Sequence, residues 1–469
     1  MSAFLSRVLG ELRGEGKAPL FLHDGAEMTR REGYDRLLGL YGKLAAEGIG
    51  DGDLVAVDGG NRPDTMLAQL AVHLSGASLL LIPASASRPD RGAVLASARV
   101  SAVFAEQGHG GYHRTILLRP STMDVTEPVL SATVHTVFSS GGTTGTPKLI
   151  GHRGIYEGMA HIFPTGGGDD PNRVLVVAPL SHLTGHCAAL GALLTGDTVL
   201  LHEGFDAEAV LHAIGEHGAT HLSLTPPRLA ALLDHPKLAT TELSGLRRVS
   251  LGASPLPVRR LSQALDVFGP IVGQGYGLTE APMIASIDAA DYADHPERLG
   301  SVGRVVPGME ARIDEGEVLV RGLALMEGYH EQPELTARAV GDGWLRTGDV
   351  GRFDHDGFLY LLDRADDVVV TGEHGTKVYS TVVEDAIAAH PLVRQAAVVG
   401  VRTGADDGDT LHAVVVADPA LTAGLLREHV RALLGQEHFV PATVEFTGEL
   451  PLTEVGKVDK STLRARRFS

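Results

Sequence analysis

The chain has 469 residues, 43% of them hydrophobic and 21% charged, which is enough for more than one domain around a large core. A formal net charge of −18 argues against a nucleic-acid groove or an anionic membrane surface as the principal partner. The single cysteine, Cys187, leaves no intrachain disulfide and no cysteine metal site, and suits a reducing cytosol.

The first thirteen residues, M-S-A-F-L-S-R-V-L-G-E-L-R, intersperse charge with apolar positions and lack a small-residue cleavage site. They predict a short amphipathic helix and not a signal peptide. Leu37, Leu40, Tyr41 and Leu44 fall at helical spacing, closed by Gly48 and the turn Asp51-Gly52-Asp53. Leu54–Val57 reads as a strand, Met66, Leu67, Leu70 and Leu74 as a helix, and Leu79–Ile82 as a buried strand. Apolar Val134–Phe138 leads into a Gly-rich loop. Further strands are predicted at Val174–Ala178, Thr198–His202, His221–Thr225, Arg248–Gly252 and Pro270–Val272. Helices Asp206–His217, Arg228–Asp234 and Val258–Phe268 separate them. Continuous apolar strands alternating with helices predict an α/β fold with largely parallel sheets. The longest apolar runs, such as Ser78 to Pro83, are too short to span a bilayer, so no membrane partner is expected.

From Ser301 to Asp363 the pattern changes to short strands and turns, including G-E-V-L-V-R-G and D-G-F-L-Y-L-L-D. A separate unit follows: helix Val382–His390, strands Ala396–Val401 and Leu411–Ala417, helix Leu421–Leu434, then a polar tail from Leu450 to Ser469.

Four stretches carry chemistry. Ser140-Gly141-Gly142-Thr143-Thr144-Gly145-Thr146-Pro147-Lys148 follows a strand with backbone N–H groups, hydroxyls and one ammonium, the means of holding an anion. It is not a Walker loop, because no Gly-Lys-Ser/Thr occurs in it. Gly273-Gln274-Gly275-Tyr276-Gly277-Leu278-Thr279-Glu280 sets an exposed Tyr between glycines, able to offer its ring to a flat base, ahead of a hydroxyl and a carboxylate. Taken alone it equally suits a turn with a structural Tyr and a capping Thr-Glu. Arg346-Thr347-Gly348-Asp349 offers a carboxylate to vicinal hydroxyls. Pro451-Leu452-Thr453-Glu454-Val455-Gly456-Lys457 ends on a lysine after glycine. The twenty-two histidines show no H-E-x-x-H or Cys/His pattern, so no transition-metal site is expected.

In this order the four stretches resemble the signatures of the adenylate-forming superfamily, which comprises acyl-CoA synthetases, luciferases and adenylation domains. The loop S-G-G-T-T-G-T-P-K-L-I looks most like that of aryl-acid ligases. The resemblance implies a large N-terminal domain, 1–365, of parallel-type sheets with helices and a small barrel-like segment. A small mobile α+β domain, 366–469, would carry the catalytic lysine. It implies that Ser140–Gly145 and Lys148 hold the phosphates of ATP, that Tyr276 stacks on adenine, and that Gly252-Ala253-Ser254 forms the opposite wall. Thr279 would contact the α-phosphate and Glu280 ligate Mg²⁺. Asp349 would bind the ribose, with Arg364 of L-D-R-A-D reaching ribose and phosphate. Asp363 stands where the family has glycine, and Asp366 takes the hinge position.

Lys457 would bridge the attacking carboxylate and the α-phosphate. His182, in A-P-L-S-H-L-T-G-H, is either structural or a gate between acyl pocket and thiol entrance. Ser181–Gly185 holds no aspartate to pair with an α-ammonium, which favours a plain acid. The His-Asn pair of aryl-acid ligases is also absent there. Cys187, Gly275 and Ala281 suggest an apolar pocket. Gly375-Thr376-Lys377-Val378 corresponds to the thiol-tunnel loop, two residues further from Arg364 than usual.

The implied reaction is ATP-dependent activation of a carboxylic acid as acyl-AMP, followed by transfer to coenzyme A. A carrier-protein phosphopantetheine supplied in trans is the alternative acceptor. A degenerate acyl-AMP or acyl-CoA binder is the alternative of another class.

Overall fold

A computed structural model describes residues 1–14, 16, 18–83, 86–107, 114–119, 128, 130–140, 148–165, 170–371, 375–402 and 408–467. The chain folds as a mixed α/β protein, with a large N-terminal part of sheets and helices and a smaller C-terminal unit. Two sheets have parallel centres. In one, Leu54–Asp58, Ser78–Leu81, Ala102–Ala105 and Thr115–Leu117 run parallel, and Thr136–Ser140 continues the parallel order beside Ser78–Leu81. In the other, Phe21–His23, Thr198–Leu201, Arg173–Val176, His221–Leu224, Arg248–Gly252 and Val272–Leu278 are parallel. Strands such as Leu54–Asp58 and Thr198–Leu201 are buried at every position, as strands covered on both faces must be. Antiparallel strands end both sides of the second sheet and one side of the first, whose other edge is the parallel strand Thr115–Leu117.

Ser301–Asp363 forms the expected strands, most of them in a five-stranded antiparallel sheet with Met309–Asp314, Glu317–Gly322, Trp344–Phe353 and Leu359–Arg364, while Arg304–Val305 and Gly328–Tyr329 join the two larger sheets. After a 3₁₀ turn, Ala365–Asp367, come the hairpin Val369–Thr371/Thr376–Val378 and a three-stranded sheet flanked by Ser380–Ala388 and Ala423–Leu434. No described helix is long and apolar enough to cross a membrane.

Three local expectations need correction. Pro270 lies in a 3₁₀ turn, Gly269–Ile271, and the strand begins at Val272, since proline has no N–H for a central ladder. That strand runs through the Tyr276 motif to Leu278, so the motif is extended and Tyr276 is buried, 8% exposed, where an exposed ring was expected. The tail is not wholly polar either. Lys460–Arg467 is a helix whose Leu463 packs with Leu450 against Ala397, Val399 and Val401. One large apolar side chain in a basic octapeptide gives no periodicity, so tertiary burial alone reveals that helix.

Candidate active site

The strand Thr136–Ser140 and its antiparallel partner Lys148–His152 bracket the Gly-rich loop. Residues 141–147, and with them Gly141, Gly142, Thr143, Thr144 and Gly145, lie outside the described residues; Ser140 is described as the last residue of its strand. Lys148, the first residue of the return strand, holds its Nζ 5.5 Å from the centroid of the Tyr329 ring. Tyr329 in turn donates its hydroxyl to Glu280 Oε1 at 3.0 Å. Burial and the Glu280 charge raise the Tyr329 pKa, which keeps it a donor. Tyr329 was not found from sequence; its strand, Gly328–Tyr329, is two residues long, and its pairing with Gly151 and Ile150 puts it between the two motifs. Tyr329→Phe should therefore leave the fold intact while lowering adenylation about ten- to a hundredfold, roughly the loss of one hydrogen bond to a charged group. Unchanged pyrophosphate exchange at limiting Mg²⁺ would show that the hydroxyl does not orient Glu280.

Beneath this turn His152, fully buried, donates from Nε2 to Thr279 O at 2.6 Å. Burial lowers its pKa, so it remains the neutral donor.

Tyr276, Asp349 and Arg364 converge from separate sheets. Asp349 and Arg364 are direct partners across an antiparallel pair, with Oδ1 3.1 Å from Nη1. Tyr276 reaches the other carboxylate oxygen, its hydroxyl donating to Oδ2 at 2.5 Å. Burial raises the Asp349 pKa, opposed by Arg364, Tyr276 and Lys457. The Tyr276 pKa is raised by burial and by Asp349. A carboxylate has about four lone-pair sites, so Asp349 keeps acceptor capacity for two hydroxyls.

Opposite, Gly252 pairs with Gly275, and a Cβ on Gly252 would stand 2.6 Å from Gly275 O. Ala253 then adopts φ +73°, a strained conformation for a residue with a Cβ. It turns Ser254 inward, whose Oγ is buried without a hydrogen-bond partner, as is that of Ser181. Buried hydroxyls without a protein partner fit a polar ligand such as a nucleotide. Glu280 is a single carboxylate, and the described residues hold no cluster of three metal-ligating side chains. That set fits Mg²⁺ drawing most of its ligands from phosphates and water, and no all-protein cage.

His182 precedes the helix Leu183–Thr195, which carries Cys187. Burial pushes the Cys187 thiol up to about 12, so it is no nucleophile at neutral pH. Gly275 is half-buried, and Met283 Sδ lies 3.7 Å from where its Cβ would be. Ala281 is fully buried, packed with Tyr276 and Ile284.

The C-terminal lysine is delivered to the same place. A tight turn, Thr453 N to Lys457 O at 2.8 Å, presents Lys457 half-buried, where Asp349 and Glu280 attract its charge. Burial and then Arg364 outweigh them, and the pKa is lowered. Gly456 has φ +80°, and a Cβ there would lie 2.5 Å from Arg228 Nε. Thr225 Oγ1 donates to Gly456 O at 2.8 Å, Arg228 to Glu454 O at 3.1 Å, and His182 Nε2 stands 3.5 Å from Glu454 Oε2. Asp366 is exposed in its 3₁₀ turn, and Gly375 and Lys377 are exposed on the Val369–Val378 hairpin.

The AMP-binding enzyme family model matches residues 12–330, and the AMP-binding enzyme C-terminal domain matches residues 382–457. The medium/long-chain-fatty-acid–CoA ligase FadD8 of Mycobacterium tuberculosis is 33% identical, over 97% of this chain and 88% of that protein. The amide bond synthetase McbA from Marinactinospora thermotolerans superposes with a TM-score of 0.86 at 32% identity, over 99% of both chains. The o-succinylbenzoate CoA synthetase MenE from Bacillus subtilis, in complex with the acyl-adenylate OSB-AMP, superposes with a TM-score of 0.83 at 25% identity, over 100% of this chain and 98% of that one.

Proposed function

Because the chain belongs to the AMP-binding enzyme family and is an AMP-forming acid–thiol ligase, we propose that one site runs two half-reactions with two placements of the C-terminal unit. In the first, the carboxylate of a plain acid attacks the α-phosphorus of ATP, and the bond to the β-phosphate breaks with loss of pyrophosphate. In the second, the sulfur of coenzyme A forms a thioester at the acyl carbon; AMP leaves with the bonding pair, and the thiol proton is lost. The single observation carrying this reading is the seating of the Lys457 turn on Thr225 and Arg228, within electrostatic reach of Glu280, Asp349 and Arg364.

Ser140–Lys148 and Thr279 hold the phosphates, Asp349 and Arg364 the ribose, and Tyr276 with Gly252–Ser254 the base. Glu280 holds Mg²⁺, which supplies neutralisation of phosphate charge when bound. Lys457 stabilises the charge that develops on the α-phosphate, and tight packing around it excludes water. Residues 1–365 form the large domain, and residues 366–469 rotate about Asp366, bringing Gly375–Val378 to the thiol entrance. The charge balance and the single cysteine suit the cytosol.

His182, Cys187, Gly275 and Ala281 line the acyl pocket, and the segment Ser181–Gly185 offers no carboxylate for an α-ammonium. ATP–pyrophosphate exchange over a panel of aliphatic and aryl acids should find a substrate. Its α-amino counterpart should be turned over at least about a hundredfold less well, since a buried unpaired ammonium is costly. Equal turnover would place a counter-ion in the pocket after all. A second reading, an amine acceptor, is supported by the full-length likeness to McbA and by the longer Arg364–Gly375 spacing. Offering the acyl-AMP coenzyme A, a phosphopantetheine carrier or an amine, with products read by mass, decides the acceptor.

A further inference from the structure

The helix Val258–Phe268 starts just beyond Gly252–Ser254 and meets the C-terminal unit with its first turn. Arg259 donates from Nη1 to Ala388 O at 3.2 Å, His390 O at 3.3 Å and Val393 O at 2.8 Å, and from Nη2 to Pro391 O at 3.4 Å. Ala388 is the last residue of the helix Ser380–Ala388, so the guanidinium sits on a helix C-terminus, where unsatisfied carbonyls and the helix dipole favour a cation.

Its neighbour Arg260 is 4% exposed and held in a fork by Asp234, at 2.7 and 2.8 Å, and by Gln263 at 3.0 Å. Fixed in that way, it donates to Arg394 O from Nη2 at 2.8 Å and from Nε at 3.2 Å. The Val258 amide completes the contact by donating to Asp385 Oδ1 at 3.3 Å. Every one of these bonds to the C-terminal unit ends on residues 385–394. Rigid forks bonded to carbonyls of one helix end and the following turn accept a single orientation of that unit; rotating it takes the carbonyls out of reach.

We propose that Arg259 and Arg260 are positioning residues that seat the C-terminal unit with Lys457 over Glu280 and Asp349. Thr225 and Arg228 hold the lysine's turn; the arginine pair holds the body that carries it. The inference rests on Lys457 acting in acyl-AMP formation.

Arg259 is the clean probe, because its hydrogen bonds all end on the C-terminal unit. Arg259→Ala should lower pyrophosphate exchange about tenfold or more, the effect of losing a charged multi-dentate contact. Coenzyme A acylation from synthetic acyl-AMP should stay unchanged or rise, and the melting temperature should stay that of the parent. Arg259→Lys should recover only part, since an ammonium cannot span the same carbonyls.

Orientation is read independently from spin labels at Ile162→Cys and Leu433→Cys, both exposed in the parent at 78% and 54%, with Cys187 retained, its thiol kept unreactive by burial. Arg259→Ala should broaden or shift the inter-label distance distribution. An unaltered distribution, or equal slowing of both half-reactions, overturns the clamp. If the distribution shifts but Lys457→Ala slows both half-reactions alike, the clamp stands as a seat for the unit, and it is the lysine's assignment that fails.

Discussion

Lys457→Ala should lower ATP–pyrophosphate exchange by about a hundred- to a thousandfold, the usual cost of removing one preorganised charge-stabilising donor. It should largely spare thioester formation from synthetic acyl-AMP, because the proposed rotation turns the lysine's unit away between the steps. Stability should not suffer. Burial and Arg364 lower the lysine's pKa in this arrangement, so below that pKa the ammonium is held at a cost, and its removal relieves that cost. Calorimetry should give a melting temperature equal to or above that of the parent. Assaying the half-reactions separately is decisive: slowing of both, or of neither, would mean that Lys457 does not belong to one placement of the C-terminal unit.

Asp349→Asn should raise KM for ATP about ten- to a hundredfold, as expected when hydroxyl bonds to a charged acceptor become bonds to a neutral one. The sign for stability is opposite to intuition. The Asp349 pKa is raised, so whatever stability the shift confers is present at low pH and is lost as pH rises through the folded pKa. At neutral pH the buried carboxylate is therefore not a stabilising charge, and the isosteric amide should melt no lower. It can still accept from Tyr276, while Arg364, about half exposed, returns to water. An unchanged KM with a lowered melting temperature would make Asp349 a structural residue and remove the ribose assignment.

Much of this protein was readable before any coordinates. The parallel-sheet alternation rests on apolar runs that need no partner to be recognised, and helix Val258–Phe268 and strand Arg248–Gly252 fall where their residue patterns place them. The Asp349 and Arg364 motifs were separately legible, and the register of one antiparallel pair makes them neighbours. Chemistry-bearing residues stand out in a sequence because glycine, lysine and carboxylate patterns of that kind rarely arise from packing alone.

Contacts between elements distant in the chain were decided only by tertiary structure. The Tyr276 hydroxyl on Asp349, Tyr329 between Lys148 and Glu280, and the hidden helix Lys460–Arg467 leave no local periodicity. The Arg259–Arg260 contact leaves none either, because its acceptors are backbone carbonyls, which every residue has. A sequence specifies which side chains can carry charge or hydrogen bonds. Which main-chain group or remote carboxylate each one meets is set by how sheets and units pack, and that depends on the burial of the whole core.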